Sequence, residues 1–151
     1  MNNNKINVNN LERAIKILEE EKNLTLVLVL NEDIYKSSEK GIKPLLNLLN
    51  SEKKYLDYSA ADKIVGKAAA MLYKLLGVKE IYGEVMSNSA INFLEQNNIN
   101  FKYKINTKEI INRKGTGMCP MEQTVLNIEN PIEAKKALEN KLKELINQKN
   151  K

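Results

Sequence analysis

Apolar residues form two different patterns in the first part of the chain. Between Asn10 and Lys22 they recur every three or four positions, which predicts an amphipathic helix. The run Leu24–Leu30 is almost entirely apolar, which predicts a buried strand. The turn residues Asn31-Glu32-Asp33 then predict a hairpin with Ile34–Ser38.

The clearest helical pattern runs from Ala60 to Leu76, with its apolar residues on one stripe. Gly77 is placed to end this helix and Ser59 to cap its first turn. In this interpretation Ser59 and Asp62 form a capping box, in which each side chain accepts a backbone N–H from the other residue.

The remaining segments alternate in type. We predict a helical turn from Pro44 to Leu49, an exposed connection over residues 51–58, strands at Val78–Met86, Asn100–Ile105 and Ile110–Arg113, and helices at Asn88–Gln96, at Pro120–Leu126 and from Pro131 onward. The last two strands would form a hairpin. This order predicts an α/β domain with three α-β-α layers around a mixed sheet, with ligands beyond the carboxyl ends of its parallel strands.

The length of 151 residues fits one domain, which we expect over residues 9–148 after a disordered tail over residues 1–8. Cys119 is the only cysteine, which excludes an internal disulfide and favours a reducing compartment. Met1–Asn10 lacks the apolar stretch of a signal peptide, and no apolar run approaches the ~20 residues of a membrane helix. We therefore expect a cytoplasmic protein with no membrane partner.

The absence of histidine removes several kinds of chemistry. A His-containing zinc or iron site is excluded, and one cysteine cannot form a Cys-only site, so we expect no metal and no cofactor. Nucleophile pairs that need histidine are excluded as well.

The net charge is +5, but residues 131–151 hold six lysines against three glutamates, so most of this charge belongs to the last helix. Without a central basic patch, nucleic acid is not the favoured partner.

The segment Ser59–Lys67 is the first candidate site. The free N–H groups and the dipole of a helix start favour an anion, and Lys63 and Lys67, one turn apart, would add positive charge. The alternative is purely local, with Asp62 in the capping box and the lysines on a solvated stripe.

The segment Arg113–Glu122 is the second candidate. Gly115 and Gly117 bracket Thr116 before a helix start, where backbone N–H groups can cradle an oxyanion, and Arg113 can bind the same group bidentately. The alternative is a plain turn.

The second segment also contains a candidate cysteine and a candidate carboxylate. Cys119 precedes Pro120 at the helix start, a position that favours the thiolate; the alternative is a small buried apolar residue. Glu122 falls in the first helical turn, where a carboxylate complements the helix dipole. Ser87, Asn88 and Ser89 follow a strand and open another helix, where they could contribute polar contacts to the same predicted sheet edge. Capping alone also explains them.

Two stretches, SAADKIVGKAAAMLYKLLGVKEIYGEVMS (residues 59–87) and IINRKGTGMCPMEQTV (residues 110–125), resemble the DUF1893 family of uncharacterised prokaryotic proteins. The resemblance extends over roughly Leu11 to Leu126. It implies a cytidine deaminase-like fold, in which a five-stranded mixed sheet lies between helices.

The resemblance also implies that the zinc site of deaminases is absent. Zinc deaminases carry His-Ala-Glu or Cys-Ala-Glu at one helix start and Pro-Cys-x-x-Cys at the next. The matching positions here are Ala60-Ala61-Asp62 and Ser87-Asn88-Ser89-Ala90, which have no zinc ligand set. The fold is implied and the deaminase reaction is not.

We therefore expect a phosphorylated or nucleotide-like anionic small molecule to bind a pocket formed by Ser59–Lys67 and Arg113–Glu122. Cys119-dependent chemistry extends this hypothesis, with Asp62, Lys63 and Cys119 as the catalytic candidates. The ligand-binding candidates are Ser59, Lys67, Ser87, Asn112, Arg113, Gly115, Thr116, Gly117 and Glu122. The alternative is a non-catalytic regulatory or protein-interaction module. Neither hypothesis fixes the ligand, the reaction or the oligomeric state, and a homo-oligomer is compatible with both.

Overall fold

The computed structural model describes residues 9–149, so the tail predicted over residues 1–8 lies outside the described residues. Helices and strands follow one another in this order: α1 Asn10–Glu20, β1 Leu26–Leu30, β2 Asp33–Ser37, α2 Lys43–Leu49, β3 Ser59–Val65, α3 Lys67–Leu76, β4 Glu80–Ser87, α4 Asn88–Gln96, β5 Asn100–Thr107, α5 Pro120–Val125 and α6 Pro131–Lys149.

The five strands form one mixed sheet in the order β2-β1-β3-β4-β5. β1 is antiparallel to β2 and to β3, whereas β3, β4 and β5 are parallel to one another. The pairing Val65↔Met86 and the pairing Ser87↔Thr107 place the ends of the parallel strands at one edge. Because α3 and α4 follow β3 and β4 directly, both helices begin at this edge.

Helices cover both faces of the sheet, as predicted. On one face α1 packs over β1 and β3, where Leu18, Val27 and Ala61 belong to one buried cluster. On the other face, buried side chains of α2 to α6 form a larger core with Leu28, Ala60 and other strand residues. None of the helices within residues 9–149 combines the length and the apolar character needed to cross a membrane.

The predicted helix from Ala60 to Leu76 is wrong in its first half. Ser59–Val65 is the central strand β3, and the helix begins only at Lys67. Ala60 and Ala61 are both fully buried, one in the core under α3 and the other in the core under α1. Small side chains fit between two layers of packed helices, so tertiary packing overrides the helical propensity of alanine.

The predicted capping box is therefore wrong as well. The Ser59 hydroxyl donates to the Glu80 carboxylate at 2.6 Å, on the neighbouring strand. The Asp62 carboxylate instead accepts the backbone N–H of Ile64 at 3.1 Å and the Tyr73 hydroxyl at 2.6 Å. Asp62 thus joins the middle of β3 to α3.

The predicted strand Ile110–Arg113 does not pair with β5. Ile111 forms a single antiparallel bridge with Met118, and the Cys119 N–H donates to the Ile110 carbonyl at 2.8 Å. Residues 110–111 therefore pair with residues 118–119, and the chain between them forms a closed loop.

The connection over residues 51–58 was expected to be exposed, but Tyr55 and Tyr58 within it are buried.

The pKa of the Asp62 carboxyl group is strongly perturbed, and packing explains the perturbation. Burial raises the pKa of Asp62 to about 7, although the hydrogen bonds from Tyr73, Ile64 and Lys63 favour the carboxylate. Burial and the adjacent Asp62 carboxylate also raise the pKa of Tyr73 well above its usual range.

We expect Asp62→Asn to flatten the pH dependence of stability. The Asp62 pKa rises from 3.8 to about 7 on folding, so between these values the folded state keeps a proton that the unfolded state has released. The free energy of unfolding therefore falls as pH rises through this window, by about 1.4 kcal/mol per unit of pKa shift. Asparagine does not titrate, so the variant should lose this slope.

Urea unfolding of wild type and Asp62→Asn at about pH 4.5 and about pH 8 measures the difference. If the variant loses as much stability between the two pH values as wild type does, Asp62 is not the group that carries the proton.

Candidate functional site

A cleft lies beyond the carboxyl ends of β3, β4 and β5. It consists of two adjoining hollows of about 300 Å³ and about 190 Å³, which share Lys67, Ser89 and Asn92. The larger is also lined by Asn88, Lys108, Glu109, Met118, Glu122 and Leu126, and the smaller by Phe93, Gln96 and Glu129. This is the position at which open α/β sheets commonly bind ligands.

The start of α3 is capped by a side chain from a distant part of the chain. Gly66 occupies the N-cap position and has no side chain to offer. The Glu122 carboxylate, 55 residues further on, accepts the Lys67 N–H at 2.9 Å, and its second oxygen accepts the Ala68 N–H at 2.8 Å. A Cβ on residue 66 would lie 2.5 Å from this carboxylate, so the contact requires glycine.

Glu122 is buried, and this burial raises the pKa of its carboxyl group. The two backbone N–H groups and the Lys67 ammonium act in the opposite direction by favouring the ionised form. The anion site that a helix start provides is thus filled by the protein's own carboxylate.

The Lys67 ammonium lies in the wall of the cleft. Its nitrogen is 2.8 Å from a Glu129 carboxylate oxygen and 3.4 Å from the Leu126 carbonyl oxygen. The two partners differ in exposure, since the Lys67 side chain is 9% exposed and that of Glu129 is 71% exposed. A shielded cation is therefore paired with a largely solvated anion.

The start of α4 supplies the polar side of the cleft. Ser87 is fully buried, and its hydroxyl accepts the Ala90 N–H at 3.1 Å, so it acts as the helix cap. Ser89 and Asn92 lie on the cleft, and Asn88 contributes to the larger hollow. Asn88 and Asn92 are four residues apart, which places them on one helical face.

The loop over residues 112–117 is held by hydrogen bonds within the loop itself. The Asn112 amide donates to the Thr116 hydroxyl at 3.0 Å, and the Thr116 N–H donates to the Asn112 side-chain oxygen at 3.0 Å. Gly115 takes a left-handed conformation with φ of 71°, which explains the glycine there. Neither hollow has a lining residue from Asn112 to Gly117.

Three further candidates also lie away from the lining. Ser59 begins β3 at the end of the strand away from the cleft, and the strand is about 20 Å long. Lys63 lies 4.0 Å from Glu84 on the neighbouring strand. Cys119 is partly exposed at the N-cap of α5, next in sequence to the lining residue Met118.

The sequence predicted only part of the polar lining. Lys67 and Glu122 were named as ligand-binding candidates, and Asn88 and Ser89 were expected to contribute polar contacts at this sheet edge. Asn92, Lys108 and Glu109 were not considered as contacts. The available signal was the placement of polar residues directly after β4 and β5. Within residues 9–149, no group of three or more Asp, Glu, Cys or His side chains is placed to hold a metal ion.

The model of the TM1506 family, described as a domain of unknown function (DUF1893), matches residues 13–142. The chain belongs to the DUF1893 family. The crystal structure of a DUF1893 family protein, TM1506 from Thermotoga maritima, is similar to this DUF1893 protein with a TM-score of 0.81 and 29% sequence identity, over 89% of this chain and 90% of that chain. No curated protein matches the sequence.

The two motifs that carried the family resemblance meet at one contact of this DUF1893 protein. Gly66 and Lys67 belong to the first motif, and Glu122 belongs to the second. Their association is therefore a structural requirement of the start of α3, independent of any ligand.

A double-mutant cycle tests this contact. Gly66→Ala should expel the Glu122 carboxylate and leave two buried N–H groups unpaired, which costs about 1–3 kcal/mol of unfolding free energy. Glu122→Ala should cost a similar amount. In the Glu122→Ala background the added methyl group has no carboxylate to displace, so Gly66→Ala should then cost much less.

Urea unfolding of the four proteins gives the coupling energy. Additive effects of the two substitutions would mean that Gly66 is not required by the Glu122 carboxylate.

Proposed function

We propose that this DUF1893 protein binds an anionic small molecule, phosphorylated or nucleotide-like, in the cleft beyond β3, β4 and β5. The observation that carries the proposal is the shielded Lys67 ammonium, held in the cleft wall by an exposed carboxylate. A ligand phosphate can take the place of that carboxylate, and a partly desolvated lysine binds an anion more strongly than a solvated one.

The remaining lining supports a ligand larger than a free anion. Ser89, Asn92 and Gln96 offer hydrogen-bond donors and acceptors for hydroxyl groups or a base, and Lys108 adds a second cation. The larger hollow alone, at about 300 Å³, is at the lower end of small-molecule sites. Together the two hollows favour a ligand of mononucleotide size.

We also propose that the fold is cytidine deaminase-like without its metal site. The five-stranded mixed sheet and the two helix starts at one edge support this assignment. Since α3 begins at Lys67, the position assigned to Ala60-Ala61-Asp62 moves to Lys67-Ala68-Ala69, which also lacks a zinc ligand. In this proposal the Lys67 ammonium supplies a positive charge near the helix start that holds metal in deaminases.

Binding depends on Lys67 in this proposal, and calorimetry with AMP and ribose 5-phosphate tests it. We expect Lys67→Met to weaken binding by at least about tenfold, because the substitution removes the charge and retains the length of the side chain. Lys63→Met is the matched control, since Lys63 lies beside Glu84 outside the cleft lining and its loss should leave affinity unchanged.

Two results would contradict the proposal. One is no heat of binding at millimolar ligand. The other is equal weakening by the Lys67 and Lys63 substitutions, which would show a general charge effect.

We also propose, as an extension of ligand binding, that the Cys119 thiolate is a nucleophile that acts on the bound ligand. Its neighbour Met118 lines the cleft. If Cys119 acts on the bound ligand, saturating AMP should slow its alkylation by iodoacetamide several-fold, and Lys67→Met should abolish this protection. Glutathione under the same conditions controls for direct effects of AMP on the reagent. Alkylation that AMP does not change would favour the non-catalytic regulatory or protein-interaction alternative.

A further inference from the structure

We propose that Glu129 is an internal competitor for the anion site, so that a ligand binds only by displacing this side chain from Lys67. The inference rests on the proposed function, because it assigns a regulatory contact to the same site.

The asymmetry of the pair determines which partner moves. The Lys67 side chain is 9% exposed and belongs to the first turn of α3, whose backbone is held by Glu122. Glu129 is 71% exposed and precedes α6 in the connection from α5. Rotation of Glu129 returns its carboxylate to water, whereas withdrawal of Lys67 would disturb the packed start of α3. The pair therefore opens on the Glu129 side.

Displacement of Glu129 does not remove the N-terminal cap of α6. The next residue, Asn130, accepts the N–H groups of Ile132 and Glu133 at 2.8 and 3.2 Å, and this fixes the start of α6. The Glu129 side chain takes no part in this cap, so its rotation does not uncap the helix.

The charge of the cleft changes when Glu129 leaves. With Glu129 in place, the lining holds two lysines, Lys67 and Lys108, against Glu109, Glu122 and Glu129. Without Glu129 the lining holds two lysines and two glutamates. The charge of one of these glutamates, Glu122, is already balanced by two backbone N–H groups of α3. The cleft therefore attracts an anion only in the displaced state.

Glu129 also occupies the place of the ligand group. Its carboxylate is 2.8 Å from the Lys67 nitrogen and lines the smaller hollow together with Ser89 and Asn92. Because a tethered group is present at high effective concentration, it weakens the apparent affinity of every anion that needs Lys67.

Calorimetry of Glu129→Gln with inorganic phosphate, AMP and adenosine tests the competitor role. Glutamine retains the shape and removes the charge, so phosphate and AMP should bind about two- to fivefold more tightly than to wild type. Adenosine carries no anion and should show no gain. Glu133→Gln is the matched control, since it removes a nearby exposed charge outside the cleft lining and should leave all affinities unchanged.

The outcomes separate this inference from the proposed function. If Lys67→Met loses phosphate and AMP while Glu129→Gln binds them no more tightly than wild type, Glu129 is not a competitor and the anion site stands. An equal gain for adenosine, or the same gain in Glu133→Gln, also overturns the competitor role. If none of the proteins binds phosphate or AMP, the anion site and the inference both fail.

Discussion

The bond between the Glu122 carboxylate and the first N–H groups of α3 is the contact on which the cleft depends. It ties α5 to the carboxyl edge of the sheet across 55 residues of sequence, and it sets the position of Lys67 in the cleft wall. It also explains Gly66, because a Cβ there would overlap the carboxylate. The protein thus uses the anion affinity of a helix start for its own assembly, and the Lys67 side chain remains in the wall of the cleft.

Local patterns were sufficient for elements whose signals lie within a few residues. The periodicity of α1, the turn after β1 and the start of α6 at Pro131 were all read correctly from the sequence. The stretch Ser59–Val65 was not, since its alanines favour a helix in isolation and fill the space between two helical layers in the fold. Only the tertiary environment distinguishes these two uses of alanine.

The candidate site shows the same limit. Proximity of the two motifs was predicted through an anion that both would bind, whereas the structure joins them through Glu122 itself. Asn112 and Thr116 looked like ligand contacts because sequence does not show that they hydrogen-bond to each other. Asn92, Lys108 and Glu109 were overlooked because the local pattern does not distinguish them from solvated polar residues. Ser87 and Ser89, two residues apart, illustrate the difference between a cap and a cleft residue, since Ser87 caps α4 and Ser89 lines the cleft.

A crystal structure of the protein with AMP is the most direct test, since it observes the anion, Lys67 and both carboxylates at once. We expect the phosphate within hydrogen-bond distance of the Lys67 nitrogen, Glu129 turned toward solvent, and Glu122 still bound to the N–H groups of Lys67 and Ala68. A phosphate bound away from Lys67, or one that displaces Glu122 while Glu129 keeps its place, would contradict this expectation.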